Sequence, residues 1–315
     1  MKNFSLTPSF TKLIWFLMVP LLLSSCTKDY IGDVADKATV ETLVADFPAN
    51  DGLSLDRRGN IFASNFQNFQ GTQIYKTNPK TGEFVVAVDG LAAPTGNAVD
   101  RQGNIFAVNA VRLVSQEPLV TEGDVVKISK DGTRTLLATL PGFPSGLALD
   151  SHGNAFISNF DFPGVHKITP DGEVTLIAED ERLRGGVGID FDHRGNLYVG
   201  NFNTGEIVKI ARNGEISVLA TIPTVVQNFV IGYITYFGGS LFATAAGEGV
   251  IYRVTLDGEA TVFAGNGVKA RVDGALTEAS FDIPNGITGD ALRKVLYVTD
   301  FSIDGSSSLR AIRLK

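Results

Sequence analysis

Six segments of this 315-residue chain open the same way, with a variable residue, a glycine and a short apolar run. The glycines are Gly52, Gly96, Gly146, Gly188, Gly232 and Gly286, spaced by 44, 50, 42, 44 and 54 residues. The residues before them are Asp51, Thr95, Ser145, Val187, Ile231 and Asn285. A fold that gathers these positions would offer a ligand one carboxylate, two hydroxyls and one amide, from Asp51, Thr95, Ser145 and Asn285. A second recurrence closes the following apolar run: Asn65, Asn109, Asn159, Asn201, Ala245 and Asp300, mostly with Phe next (Phe66, Phe160, Phe202, Phe301). A polar ring for sugar hydroxyls is one reading of it. Asx-type turns leading into the next loop are the better one, because short amides and carboxylates close such turns.

Other chemistries find little footing. His152 and His193 fall in turns and His166 on a strand, so imidazole activation of a nucleophile or a zinc cluster has no convergent set. Neither a G-x-S-x-G elbow nor a phosphate-cradling glycine loop stands out. The acidic balance, −7 for the whole sequence and −9 once residues 1–25 are set aside, argues against nucleic acid, which wants a basic surface.

The elements that must position these residues are strands. In the stretch from Pro144 to Ala178, four short runs alternate with turn chemistry: Asp150-Ser151-His152-Gly153-Asn154, then a loop with Pro163, then Pro170-Asp171-Gly172. That is a four-stranded meander, and it returns six times. Repeats of about 40–50 residues with four strands each are propeller blades. The two long spacings have visible causes: an extended loop at 110–123, and the approach segment 265–283 before the sixth copy. The sixth copy stops after three strands. Its missing fourth is Thr39-Val40-Glu41-Thr42-Leu43-Val44-Ala45, which matches the pattern of residues 132–138. The expectation is an all-β, six-bladed propeller of four-stranded antiparallel blades over residues 39–315, the last blade closed by the N-terminal strand. Closure of this kind protects open sheet edges.

The pattern resembles NHL-repeat proteins and the senescence-marker-protein/gluconolactonase family of six-bladed propellers. Its carriers are the D-x-x-G-N turns (Asp56–Asn60, Asp100–Asn104, Asp150–Asn154, Asp192–Asn196), the run Leu296-Tyr297-Val298-Thr299-Asp300, and the approach GNGVKARVDGALTEASFDIPNGI. The resemblance implies that the residues before the opening glycines ring the channel mouth, on the face where propellers bind ligands. It also implies that Asp51 and Asn285, in neighbouring blades of a closed ring, match metal-ligand positions, for which Ca²⁺ or Mg²⁺ would suit. Val187 and Ile231 depart from such a set, and no Glu stands there. Two functions follow as expectations. One is a propeller binding a small molecule, glycan or protein through the loop-rich mouth, with Arg112 or Arg184 contributing. The other is a divalent-metal lactonase or esterase with Asp51 and Asn285 as ligands, helped by Asn65, Asp300 or Glu248. Further loop residues that could dress this face are Glu117, Glu181, Arg182, Gln227, Asn228, Lys269, Arg271 and Asp273.

The N-terminus reads as an address. Lys2 and Lys12 precede an apolar core, Leu13 to Leu23, too short for a stable span, and Leu23-Ser24-Ser25-Cys26 resembles the lipobox of bacterial lipoproteins. The expectation is a signal peptide over 1–25, then an acylated Cys26 and a polar tether over 26–38. The propeller would then be held at the periplasmic or cell-surface side of a membrane. Cys26 is the single cysteine, so the folded domain has no disulfide, and losing two lysines takes the mature charge to −9.

Overall fold

The computed structural model describes residues 37–116, 119–224, 226–227 and 229–314. The leader, Cys26, most of the tether, Glu117 and Asn228 lie outside them. Six antiparallel sheets, five of four strands and one of four strands plus a short fifth, follow one another in chain order, each running outward from its first strand. The first strands are Leu53–Leu55, Asn97–Val99, Pro144–Leu149, Gly186–Phe191, Ile234–Phe237 and Ile283–Asp290. The expected six-bladed propeller is therefore the observed one.

Blade six closes as read from the sequence. Thr39–Val44 pairs antiparallel with Ser307–Arg313, in a register that sets Thr39 opposite Arg313 and Thr42 opposite Arg310. A short fifth strand, Gly274–Ala275, adds to its outer edge and comes from the approach segment. The expected loop at 110–123 differs from expectation. It is a β-hairpin, an extension of Ile105–Gln116 and Leu119–Ile128 in which Arg112 faces Glu122 and Leu113 faces Thr121. Val111, Leu113, Val114, Leu119, Val120 and Thr121 give that segment the composition of paired strands rather than of an open loop.

The repeated turns work by one device. In blade one, Asp56 accepts from the backbone N–H groups of Arg58 and Asn60, both at 2.9 Å, and from the Asn60 amide at 2.7 Å. Asp100, Asp150 and Asp192 repeat the pattern. Blade five replaces it with Gly238-Gly239, which join Phe237 directly to Ser240.

The opening glycines are set by packing at the axis. A Cβ on Gly146 would lie 2.0 Å from the Val187 carbonyl oxygen, and one on Gly286 would lie 2.2 Å from that of Asp51. Neighbouring blades touch backbone to backbone here, so only glycine fits. Between blades the core is apolar. Ile61, Ala63, Tyr297 and Leu309, for example, are buried together where blade one meets blade six.

Candidate ligand-binding bowl at the channel mouth

Asp51 precedes the first strand of blade one and is 9% exposed. Its Oδ1 accepts from its neighbour Gly52 N at 2.9 Å and from the Tyr233 hydroxyl at 2.5 Å. Tyr233 belongs to blade five, so this bond crosses the mouth. Asn285 donates through Nδ2 to the Asn50 carbonyl at 2.8 Å, and reaches Asp51 Oδ2 at a long 3.4 Å. Burial pushes the Asp51 carboxyl up to about 6, against the pull of its hydrogen bonds to Tyr233, Gly52 and Asn285. The Tyr233 phenol is pushed well above its usual value by burial and by Asp51.

Thr95 and Ser145 stand beside this pair, the Thr95 hydroxyl donating to the Ser145 carbonyl at 3.0 Å. Asp51, Thr95, Ser145, Asn285, Val187 and Tyr233 all line one cavity of about 340 Å³. Of the residues expected at the mouth, four polar ones are thus brought together as the sequence suggested. Most of the remaining wall is phenylalanine (Phe66, Phe143, Phe160, Phe202, Phe229 and Phe301), with Asn50, Asn68, Asp161 and Ala246 between the rings.

Five of these rings form an arc with Phe69. Successive centroids lie 4.7 Å apart for Phe69 and Phe66, 6.4 Å for Phe66 and Phe143, and 6.1 Å for Phe143 and Phe160. The arc continues at 5.6 Å to Phe202 and 4.7 Å to Phe229. Most contacts are edge to face, the arrangement phenyl quadrupoles favour. Phe69 and Phe229 are 60% and 53% exposed and sit at φ of 69° and 55°, which a residue with a Cβ rarely adopts. Strain of this order persists where the surrounding structure enforces it, often at ligand sites.

The recurring asparagines build this wall. Asn159 Oδ1 accepts from Phe143 N at 2.9 Å and Phe162 N at 2.8 Å, while Phe160 N donates to the Phe143 carbonyl. Asn201 accepts from Asn203 N and Thr204 N and donates to the carbonyls of Arg182 and Arg184. Asp300 accepts from Asp282 N and Ile283 N. The Asx-turn reading holds at Asn159 and Asn201, which accept from the N–H groups two and three residues on. Asn109 and Asp300 instead accept from the segment that leads into their blade's first strand. The phenylalanines were visible in the sequence as the repeated Asn-Phe pair. Tyr233 carried no local signal, because its partner is 182 positions away. Two blades break the pattern: blade two reads Asn109-Ala110 and blade five Ala245-Ala246, and Ala246 lines the cavity.

The other candidates lie elsewhere. Arg112 pairs with Glu122 at 2.7 Å and Asp124 at 3.1 Å on the hairpin. Arg184 pairs with Glu181 at 2.9 Å and donates to the carbonyl of Asp161, a rim residue, without lining the bowl itself. Arg182 pairs with Asp180. Glu248 is held by the hydroxyls of Thr224 and Tyr252. Lys269 Nζ sits behind Ala246, donating to the carbonyls of Ala246 and Asp282. Arg271 and Asp273 serve the edge of blade six.

A Ca²⁺ or Mg²⁺ ion would need several converging oxygens. Asn285 turns its NH₂ toward Asp51 and Asn50, and Asp51 Oδ1 is already shared by two donors. Among the described residues no three of His, Cys, Asp and Glu gather in a way that could hold a metal. The donor set present does not fit a hard cation at Asp51 and Asn285.

No family profile and no curated protein matches the sequence. Solved structures do match in shape. A gluconolactonase from Xanthomonas campestris is 17% identical with a TM-score of 0.64, over 89% of this chain and 91% of that one. A protein of unknown function from Bacteroides thetaiotaomicron is 15% identical with a TM-score of 0.68, over 88% and 76%. Virginiamycin B lyase from Staphylococcus aureus is 14% identical with a TM-score of 0.61, over 89% and 100%. The fold is thus the six-bladed propeller shared with gluconolactonase-type structures. One fold carries a lactonase and a lyase, so it leaves the chemistry to the site.

Proposed function

We propose that this protein binds a small molecule in the phenylalanine bowl at its channel mouth. The observation that carries this reading is the arc of phenyl rings standing over a buried carboxyl and phenol in a cavity of about 340 Å³. Ligand pockets are mostly apolar, with a few convergent polar groups that fix orientation. Cys26, by its lipobox-like setting, would hold the domain at a membrane surface, and Cys26→Ser should release the chain to the soluble fraction. The probe for the bowl is N-phenyl-1-naphthylamine, neutral and of suitable size. Saturable fluorescence enhancement is expected, with at least a tenfold loss of affinity in Phe160→Ala/Phe202→Ala. An unsaturable signal, or one that the double variant leaves unchanged, overturns the reading.

A second reading is hydrolysis of a lactone or ester. It is favoured by Asp51, whose carboxyl at about 6 can take a proton from an attacking water near neutral pH, and by the likeness in fold to a gluconolactonase. On this donor set the activity would survive EDTA. A lactone panel showing no turnover above that of Asp51→Asn would remove it.

A further inference from the structure

Among the described residues, the ring closure and the bowl each bury an aspartate where phenylalanine is present. At the ring closure, Asp300 Oδ2 meets Arg310 Nη1 at 3.1 Å, both side chains fully buried, and the guanidinium lies over the Phe281 ring at 5.1 Å from its centroid. Carboxylate, cation and phenyl face form one unit there. The bowl repeats two of the three parts. Asp51 Oδ1 has its donors in Gly52 and Tyr233, but Oδ2 has only the 3.4 Å contact to Asn285, longer than a good N–H···O bond. None of the described residues lining the bowl is basic. The ammonium of Lys269, behind Ala246, is engaged by two carbonyls.

A buried carboxylate oxygen short of a donor, in a cavity walled largely by phenyl rings, is complementary to a positive charge. A cation within about 6 Å of a ring centroid is drawn by the ring quadrupole, more strongly where water is excluded. The charge-assisted bond to a carboxylate adds to this. Resting on the small-molecule reading above, we propose that the ligand is an amphipathic organic cation. Its protonated amine donates to Asp51 Oδ2, and its apolar body lies against Phe143, Phe160 and Phe202. Ala246 stands where blades one, three, four and six place phenylalanine, and the ligand's longer substituent leaves over its small side chain, beside Phe229. The chain's net charge of −7 favours the approach of a cation.

The test compares three probes of one shape by calorimetry on the purified chain: 2-phenylethylammonium, 2-phenylethanol and phenylacetate. The expected result is ammonium tighter than alcohol by at least tenfold, and carboxylate weakest. Asp51→Asn should bring ammonium and alcohol within about twofold. In the unaltered chain the ammonium should weaken as pH falls from 7 to 4.5 while the alcohol stays level. Tyr233 and Asp161 are the other titratable groups lining the bowl, and Asp51→Asn separates their part from that of Asp51. Alcohol or carboxylate binding as tightly as ammonium overturns the proposal while leaving the bowl a binding site. So does saturable N-phenyl-1-naphthylamine without binding of the ammonium. Failure of every probe removes both readings. Ala246→Phe should weaken 4-phenylbutylammonium more than 2-phenylethylammonium; equal effects would remove the assigned exit.

Discussion

The channel mouth and the closure of the ring are built from the same side chains put to different ends. At the closure, Arg310 donates to Asp300, to Asp273 at 2.9 Å and to the carbonyls of Ser280 and Val272. Asp273 in turn accepts from Thr42 of the N-terminal strand. One buried guanidinium thus ties blade six, the approach segment and the chain's first strand together. At the mouth, Asp51 is bonded by neutral donors from blades one, five and six. Burial pushes both carboxyls up to about 6, but at Asp300 a fixed positive charge pulls back. The difference teaches where structure ends and recognition begins: the carboxylate whose countercharge is covalently present holds the fold, and the other is open to an outside partner.

Breaking the closure should have the largest effect. Arg310→Met leaves Asp300 buried without its cation, and breaking such a pair costs about 3–5 kcal/mol. Urea denaturation should show that loss, with probe affinity unchanged in the protein that remains folded. An undiminished midpoint would mean that the pair does not hold the ring.

Asp51→Asn should act in the opposite sense and depend on pH. The folded-state carboxyl is raised from 3.8 to about 6, so the native state keeps a proton that the unfolded chain has released. The contribution of Asp51 is therefore full below about 3.8 and lost as pH rises through about 6. Two pKa units correspond to roughly 3 kcal/mol. The stability of Asp51→Asn relative to the unaltered chain should climb by that order between pH 4 and pH 7. A flat difference would mean that the site titrates normally.

The smallest effect joins the two regions. Gly286→Ala drives a Cβ against the Asp51 carbonyl, and overpacking of this kind costs about 1–3 kcal/mol. It should also weaken probe binding, because Asp51 and Asn285 are displaced together. Weakened binding without lost stability would show that the blades can part at the axis without strain.

Much of the architecture was legible because it is repeated. The six glycines, the D-x-x-G-N turns and the orphan strand around Thr42 each have a local cause that composition and spacing expose. The bowl was half legible. Asp51, Thr95, Ser145 and Asn285 were found by their place in the repeat, and the phenylalanines were seen but read only through the turns beside them. Tyr233 and Arg310 were hidden for one reason. Each acts on groups far away in sequence, Tyr233 across the channel and Arg310 beneath the approach segment that covers it. Nor could spacing show that 110–123 pairs with itself rather than looping over the mouth.

The seam in blade six also sets a timetable. Glu41 and Arg313 form an ion pair at 2.5 Å although 272 positions separate them. During synthesis at about 5–20 residues per second, the first strand waits on the order of tens of seconds for its partner. Blades one to five can assemble as they emerge, while Thr39–Val44 remains a bare edge. Until Ser307–Arg313 arrives, that strand is open to pairing with a neighbouring chain, so closure of the ring also removes its most exposed edge.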